Sequence, residues 1–232
     1  MATGALRQGR RVFREDVKEY LIDAILTGKL AAGERIIETQ VANALGVSQG
    51  PVREALRDLE LLGFVDSMPF RGAQVRHVSF AEILQIYPIR AAVEGVVAHA
   101  AASQIDAALL IELRERYAQM RDAAAKGDDH AHVEADIAFH RAIVYASGNR
   151  LLRQFWDSMQ LATTTVMSLI LTHRDLHELC VRHEPILAAL EARDPVAAEQ
   201  AARWHIEELR EWILEAEAAD LNRREGAVSS QA

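Results

Sequence analysis

Two groups of residues in this sequence have types and spacings suited to chemistry. The first begins with Asp136 and His140 in EADIAFHRAIV, four residues apart and so one turn apart on a single helix face. His183 in RHEPILAAL and His205 in ARWHIEEL lie further along the chain. A carboxylate and imidazoles are metal donors, but a single histidine on an apolar helix is ordinarily a core residue, and spacing alone leaves both readings open. His173 and His177, also four apart, and the neighbouring His130 and His132 are competing pairs, expected at a surface or a helix end. The second group is Gln49, Arg53 and Arg57 in GVSQGPVREALRDLELLGF. These residues share the polar face of a helix whose other face carries Val52, Ala55, Leu56, Leu59 and Leu62. Ser48 stands where an N-cap belongs, and Pro51 is tolerated in a first turn. The exposed amides at the helix start carry partial positive charge and suit an anion. Arg53 and Arg57 could equally pair with Asp58 or Glu60 on a solvated face.

The elements that must position these residues follow from periodicity and punctuation. Residues 12–27 read as a first helix with Val17, Leu21, Ala24 and Ile25 on one side, closed by Gly28. After a turn at Ala31-Ala32-Gly33, ETQVANAL is a short helix ended by Gly46, and the helix starting near Gln49 follows. Two helices joined by a tight glycine turn, the second with a polar outer face, outline a helix-turn-helix. Two short strands, 64–67 and 73–76, then flank a turn with Arg71 and Gly72 at its tip, a hairpin wing. From Val78 the pattern is helical, with helices expected at 80–102, 106–126, 130–147, 149–172, 174–192 and 195–219, and Asn149 as a cap. The expected organisation is residues 1–78 as a DNA-binding head, 79–221 as an all-helical domain, and 222–232 as a disordered tail.

Composition sets limits on function. Half of the 232 residues are hydrophobic, with only 5 prolines and 12 glycines, as in a helix-rich globular protein. The net charge of −8 divides unevenly: residues 1–78 hold 11 Lys/Arg against 10 Asp/Glu, and the rest 15 against 24. A nearly neutral head still binds DNA when its bases cluster on one face. Cys180 is the only cysteine, which excludes an internal disulfide and fits a small buried residue. The longest uncharged run, Ser158 to His173, is broken by polar residues and falls short of the about 20 apolar residues of a membrane span. MATGALRQGRR lacks the apolar stretch of a signal peptide, so a cytoplasmic protein is expected.

Gly28-Lys-Leu-x-x-Gly-Glu-Arg-Ile36, Leu45-Gly-Val-Ser-Gln-Gly-Pro-Val-Arg-Glu-Ala-Leu56, Leu59-x-x-x-Gly-Phe-Val65 and Arg71-Gly72-Ala-x-Val75 resemble the winged-helix domain of GntR-type transcription regulators. The helical remainder resembles the FadR branch with its FCD effector domain, the likeness covering about residues 10–215. The resemblance implies a mainly α protein, with a winged helix-turn-helix and small β-hairpin wing followed by an FCD-like helical bundle. It also implies a homodimer on a palindromic DNA operator, with contacts from Ser48, Gln49, Gly50 and Arg53 and from Arg71 and Gly72 on the wing. The sequence departs from the family at Gln49, where arginine is usual, and at Thr39. Arginine reads guanine, whereas glutamine fits adenine.

The same resemblance implies that Asp136, His140, His183 and His205 gather around a divalent cation, Zn²⁺, Ni²⁺ or Mn²⁺, with room for solvent or an effector oxygen. Arg90 matches a basic position able to receive an effector carboxylate, although an ion pair with Glu94 is the equal alternative. The reading is therefore a ligand-responsive regulator, a repressor by expectation, controlled by a small organic acid. Two alternatives use the same ligands: a metal sensor without organic effector, and a metallohydrolase with Glu134 or Glu184 as base. The latter lacks an active-site motif such as His-Glu-x-x-His.

Overall fold

The structure, a computed structural model, describes residues 2–68, 72–77, 79–158, 166, 169, 172 and 174–229. It divides into two compact units, Met1–Val78 and Ser79–Ala232. Among the described residues no helix is long and apolar enough to cross a membrane.

In the first unit the apolar stripe of Val17, Leu21, Ala24 and Ile25 buries itself against Val52, Ala55, Leu56 and Leu59. The stripe belongs to α1 (Ala2–Leu26), and its partner face to α3 (Gln49–Leu61). The helix α1 starts ten residues before the expected Val12, since no proline interrupts residues 2–11. Between them lies α2 (Glu38–Leu45), stopped by Gly46 in the left-handed conformation at φ 65°, where its N–H caps Ala42 and Asn43 carbonyls. The wing pairs β2 (Val65–Met68) with β3 (Gly72–Val75), Met68 opposite Gly72. A further strand, β1 (Arg35–Ile36), adds to β3 and makes an antiparallel sheet ordered β1-β3-β2. Two residues are too short to show a period-2 signal, so this strand was not expected. Arg71 lies outside the described residues.

The second unit is helical throughout: α4 (Phe80–Ala102), α5 (Ala107–Lys126), α6 (Asp129–Ala146), α7 (Arg150–Ser158), α8 (Leu176–Val181), α9 (Glu184–Glu191) and α10 (Pro195–Ser229). Small residues let α4 and α10 approach closely, and a Cβ on Gly95 would stand 2.7 Å from Arg203 Cγ. Ala98, Ala101, Leu113, Met120, Phe139, Ile186, Leu190, Ala198 and Ala202 share the core. A capping box starts α4: Ser79 Oγ accepts from the Glu82 N–H and Glu82 from that of Ser79. Asn149 accepts from the N–H groups of Leu151 and Leu152 and caps α7, as expected.

Two expectations need correction. Residues 174–192 are not one helix but α8 and α9, broken at Arg182-His183. Pro185 has no N–H to give the Val181 carbonyl and its ring crowds that turn. The tail from Asn222 is not irregular: α10 continues through LNRREGAV to Ser229, with no proline there to stop it. Cys180 is fully buried and free, the small core residue it was expected to be.

Candidate metal centre and nucleic-acid interface

Three elements bring Asp136, His140, His183 and His205 together. Asp136 and His140 sit one turn apart on α6, the α8–α9 break puts His183 at the N-cap of α9, and α10 supplies His205. Asp194 accepts from the N–H groups of Val196 and Ala197, capping α10 and turning it back along α9. All four side chains are buried, and one ligand atom from each lies within 4.8 Å of the others. Phe139 forms one wall, with edge-on ring contacts to His140 and His183 at 5.7 and 5.2 Å between centroids.

The outer nitrogens of two of these rings are committed. His140 Nδ1 lies 2.7 Å from Glu94 Oε2, and His183 Nδ1 lies 3.1 Å from the Cys180 carbonyl. Both partners only accept, so each Nδ1 is the donor in its contact and each ring presents Nε2 to the centre. Those two Nε2 atoms are 3.2 Å apart, and Asp136 Oδ1 is 3.0 Å from His183 Nε2. Three atoms able to bind a metal thus face one another. Ligand atoms about 2.1 Å from a shared ion stand roughly 3.0 to 3.4 Å apart, so this spacing suits a divalent cation. Asp136 Oδ2 and His205 Nδ1, both buried, have no hydrogen-bond partner among the described residues.

Electrostatics fit the same arrangement. Burial alone would raise the Asp136 pKa, but its hydrogen bond to His183 and the charges around it hold the carboxyl below the usual range. Burial lowers the pKa of His183, and burial together with the Arg182 guanidinium lowers that of His205 well below 6.5, so both rings are neutral at pH 7. Burial opposes the charge on Glu94, yet Arg90 and His140 keep it ionised with a pKa of about 2.

Arg90 makes the ion pair that its spacing allowed, Nε to Glu94 Oε1 at 2.5 Å, with both side chains buried. Its Nη1 is left without a partner among the described residues. A cavity of about 30 Å³ beside the cluster is lined by Arg90, His132, Asp136, Arg182, His183 and His205, with leucines around them.

Two of these residues were missed in the sequence. His132, expected near a surface, is buried and lies one further turn along the Asp136–His140 face, a spacing that could have revealed it. Arg182 left no such signal. It donates to Glu208 and to the His205 carbonyl and stacks over Trp212 at 4.6 Å, tying α8 to α10. Of the other histidines, His130 is half-buried in the first turn of α6 and His177 is exposed, while His173 lies outside the described residues. Tyr117 donates to Glu184 at 2.6 Å and fixes the start of α9 against α5.

In the head, Ser48, Gln49, Gly50 and Arg53 are all exposed along the first turns of α3. Ser48 has the extended backbone of an N-cap but makes no side-chain cap bond. Arg53 reaches across to α2, Nε to Glu38 Oε2 at 2.7 Å, and also donates to Gln49 Oε1 at 3.0 Å. Asp58 pairs with Arg14 of α1 rather than with an arginine of its own helix. Gly72 opens β3 at φ 81°, a conformation suited to glycine.

A winged helix-turn-helix followed by a helical body with a buried polar centre defines a DNA-binding regulator. Residues 13–75 match the bacterial regulatory proteins of the gntR family, and residues 85–208 match the FCD domain. The chain belongs to the GntR family of bacterial transcription regulators and carries an FCD domain. It is 32% identical over 200 residues to the "Probable D-xylose utilization operon transcriptional repressor" of Paenarthrobacter nicotinovorans, covering 86% of this chain and 88% of that one. It is 29% identical over 204 residues to the HTH-type transcriptional repressor RspR of Escherichia coli, covering 88% and 86%. Among solved structures, a GntR regulator from Rhodococcus sp. RHA1 has a TM-score of 0.65 at 26% identity, covering 88% of this chain and 98% of that one. Escherichia coli McbR/YncC shares the fold with a TM-score of 0.69 at 23% identity, covering 89% and 97%. These relatives are regulators, not enzymes, and the metallohydrolase alternative falls with them.

Proposed function

We propose that this regulator belongs to the FadR branch, binds a palindromic operator as a homodimer in the cytoplasm, and represses until a small organic acid binds its helical domain. Asp136, His140, His183 and His205 hold one divalent ion, Zn²⁺, Ni²⁺ or Mn²⁺. The observation that carries this is the meeting of two Nε2 atoms and the Asp136 carboxylate, with both Nδ1 atoms already committed to Glu94 and Cys180. A bound ion held by these atoms offers an open position to an effector carboxylate. Arg90 adds a contact to the same carboxylate through Nη1 while Glu94 holds its Nε. At the head, Ser48, Gln49, Gly50 and Arg53 contact the major groove, and Arg71 and Gly72 of the wing contact the DNA beside it. The effector acts by favouring one of two placements of the heads.

A second reading, metal sensing without an organic effector, is favoured by the size of the cavity, since about 30 Å³ is room for one or two waters. Elemental analysis of the wild type, His140→Ala, His183→Ala and the exposed control His177→Ala tests the centre. About one divalent ion per chain is expected in wild type and control, with most of it lost in the other two, along with a lower melting temperature. Equal metal in all four proteins would return the histidines to the core. Titrating operator release with metal alone separates the two readings.

A further inference from the structure

Three side chains on two helices are joined at the head. Glu38 opens α2, Gln49 and Arg53 lie one turn apart at the start of α3, and Arg53 donates to both of the others. A guanidinium has five N–H donors and accepts nothing, so the amide of Gln49 must turn its oxygen toward Arg53. Gln49 then faces outward with an NH₂ group, which can only donate.

We propose that Glu38 is a specificity-determining residue of the operator contact: it pins Arg53 against Gln49, so that Gln49 selects guanine rather than adenine. Adenine offers the major groove one acceptor and one donor, N7 and the N6 amino group, and glutamine reads it by using its oxygen and nitrogen together. Here the oxygen is engaged by a cation, and that cation repels an N6 amino group brought to the same place. Guanine offers two acceptors, O6 and N7, which an amide NH₂ can satisfy. The adenine preference expected from Gln49 considered alone is therefore reversed by its neighbours.

The placement of Glu38 argues against an ordinary surface ion pair. Its side chain is three-quarters buried, reaches from the start of α2 to α3, and meets an arginine fifteen residues away. A negative charge beside a surface that must approach phosphates lowers affinity for any DNA. In the first turn of α2 the charge already favours the helix, and its contact with Arg53 adds discrimination: by fixing the guanidinium plane it leaves the remaining Arg53 donors in one orientation, and it weakens binding to sequences that do not match.

This inference rests on the reading that α3 enters the groove, and the test separates the two. Wild type, Glu38→Ala, Gln49→Ala and Arg53→Ala select duplexes from a randomised pool. Affinities for the selected operator and for random duplex are then measured at one salt concentration, with the fold checked by circular dichroism. Gln49→Ala marks the position read by Gln49 as the one where preference disappears. At that position wild type is expected to return guanine and Glu38→Ala to shift about tenfold or more toward adenine, the scale of one good base contact. Random-duplex affinity in Glu38→Ala is expected to stay level or rise while the specific-to-random ratio falls. Adenine in the wild type, an unchanged preference in Glu38→Ala, no flattened position in Gln49→Ala, or a parallel fall of both affinities in Glu38→Ala would each overturn the inference. Full operator affinity in Arg53→Ala would overturn the placement of α3 itself.

Discussion

The neutral state of the buried rings has a consequence for pH. Burial and the Arg182 charge keep His205 from taking up a proton near pH 6.5, and burial does the same for His183. The unfolded chain takes up those protons below about pH 6.5 and the folded site does not, so stability falls as pH drops through that window. Metal-free protein is expected to lose stability between pH 7.5 and 5.5, read from urea unfolding, and His205→Gln to flatten the curve. With a divalent ion the fall is steeper, because protons and metal compete for the same nitrogens. A wild-type curve level over this range would mean that the rings are already protonated or solvated. Part of this chemistry is legible in sequence: Asp136 and His140 declare a shared face by their spacing, and His132 sits on the same register. The commitment of His140 to Glu94 and of Arg53 to Glu38 is not, because a pair 46 or 15 residues apart exists only once the helices have packed.

The centre is only as well placed as the elements that carry it. Helix α4 holds Arg90 and Glu94 beneath His140, and its capping box satisfies amides at its first turn that would otherwise lack partners. Ser79→Ala is expected to cost about 1 kcal/mol of stability by chemical denaturation while leaving metal content unchanged, since the ligands lie on other helices. No measurable cost would mean that water caps the helix equally well. Other elements were less readable. Helical periodicity runs from Leu176 through Leu190 without a phase change, so the break that frees His183 is hidden, although Pro185 sits just beyond it. Arg35–Ile36 becomes a strand only because β3 offers it a partner edge, a tertiary effect that no two-residue stretch can announce.

Across the whole molecule, the two units have separate cores. The head buries α1 against α3 and its small sheet, and the body buries α4 against α10 around the polar centre. A ligand that binds only the folded body should stabilise that body and leave the head alone. At a hundred times its dissociation constant a divalent ion adds about 2.7 kcal/mol. For a unit of this size that corresponds to a rise of roughly 5 to 10 °C in melting temperature. Differential scanning calorimetry of the full chain, with a chelator and then with added Zn²⁺, is therefore expected to show one transition moving by that amount and another staying fixed. His183→Ala should remove the shift without moving the fixed transition, which separates binding at the centre from ions bound elsewhere on the acidic body. If both transitions move together with metal, the units unfold as one cooperative block, and signals from the centre reach the head through shared stability rather than through a change of placement.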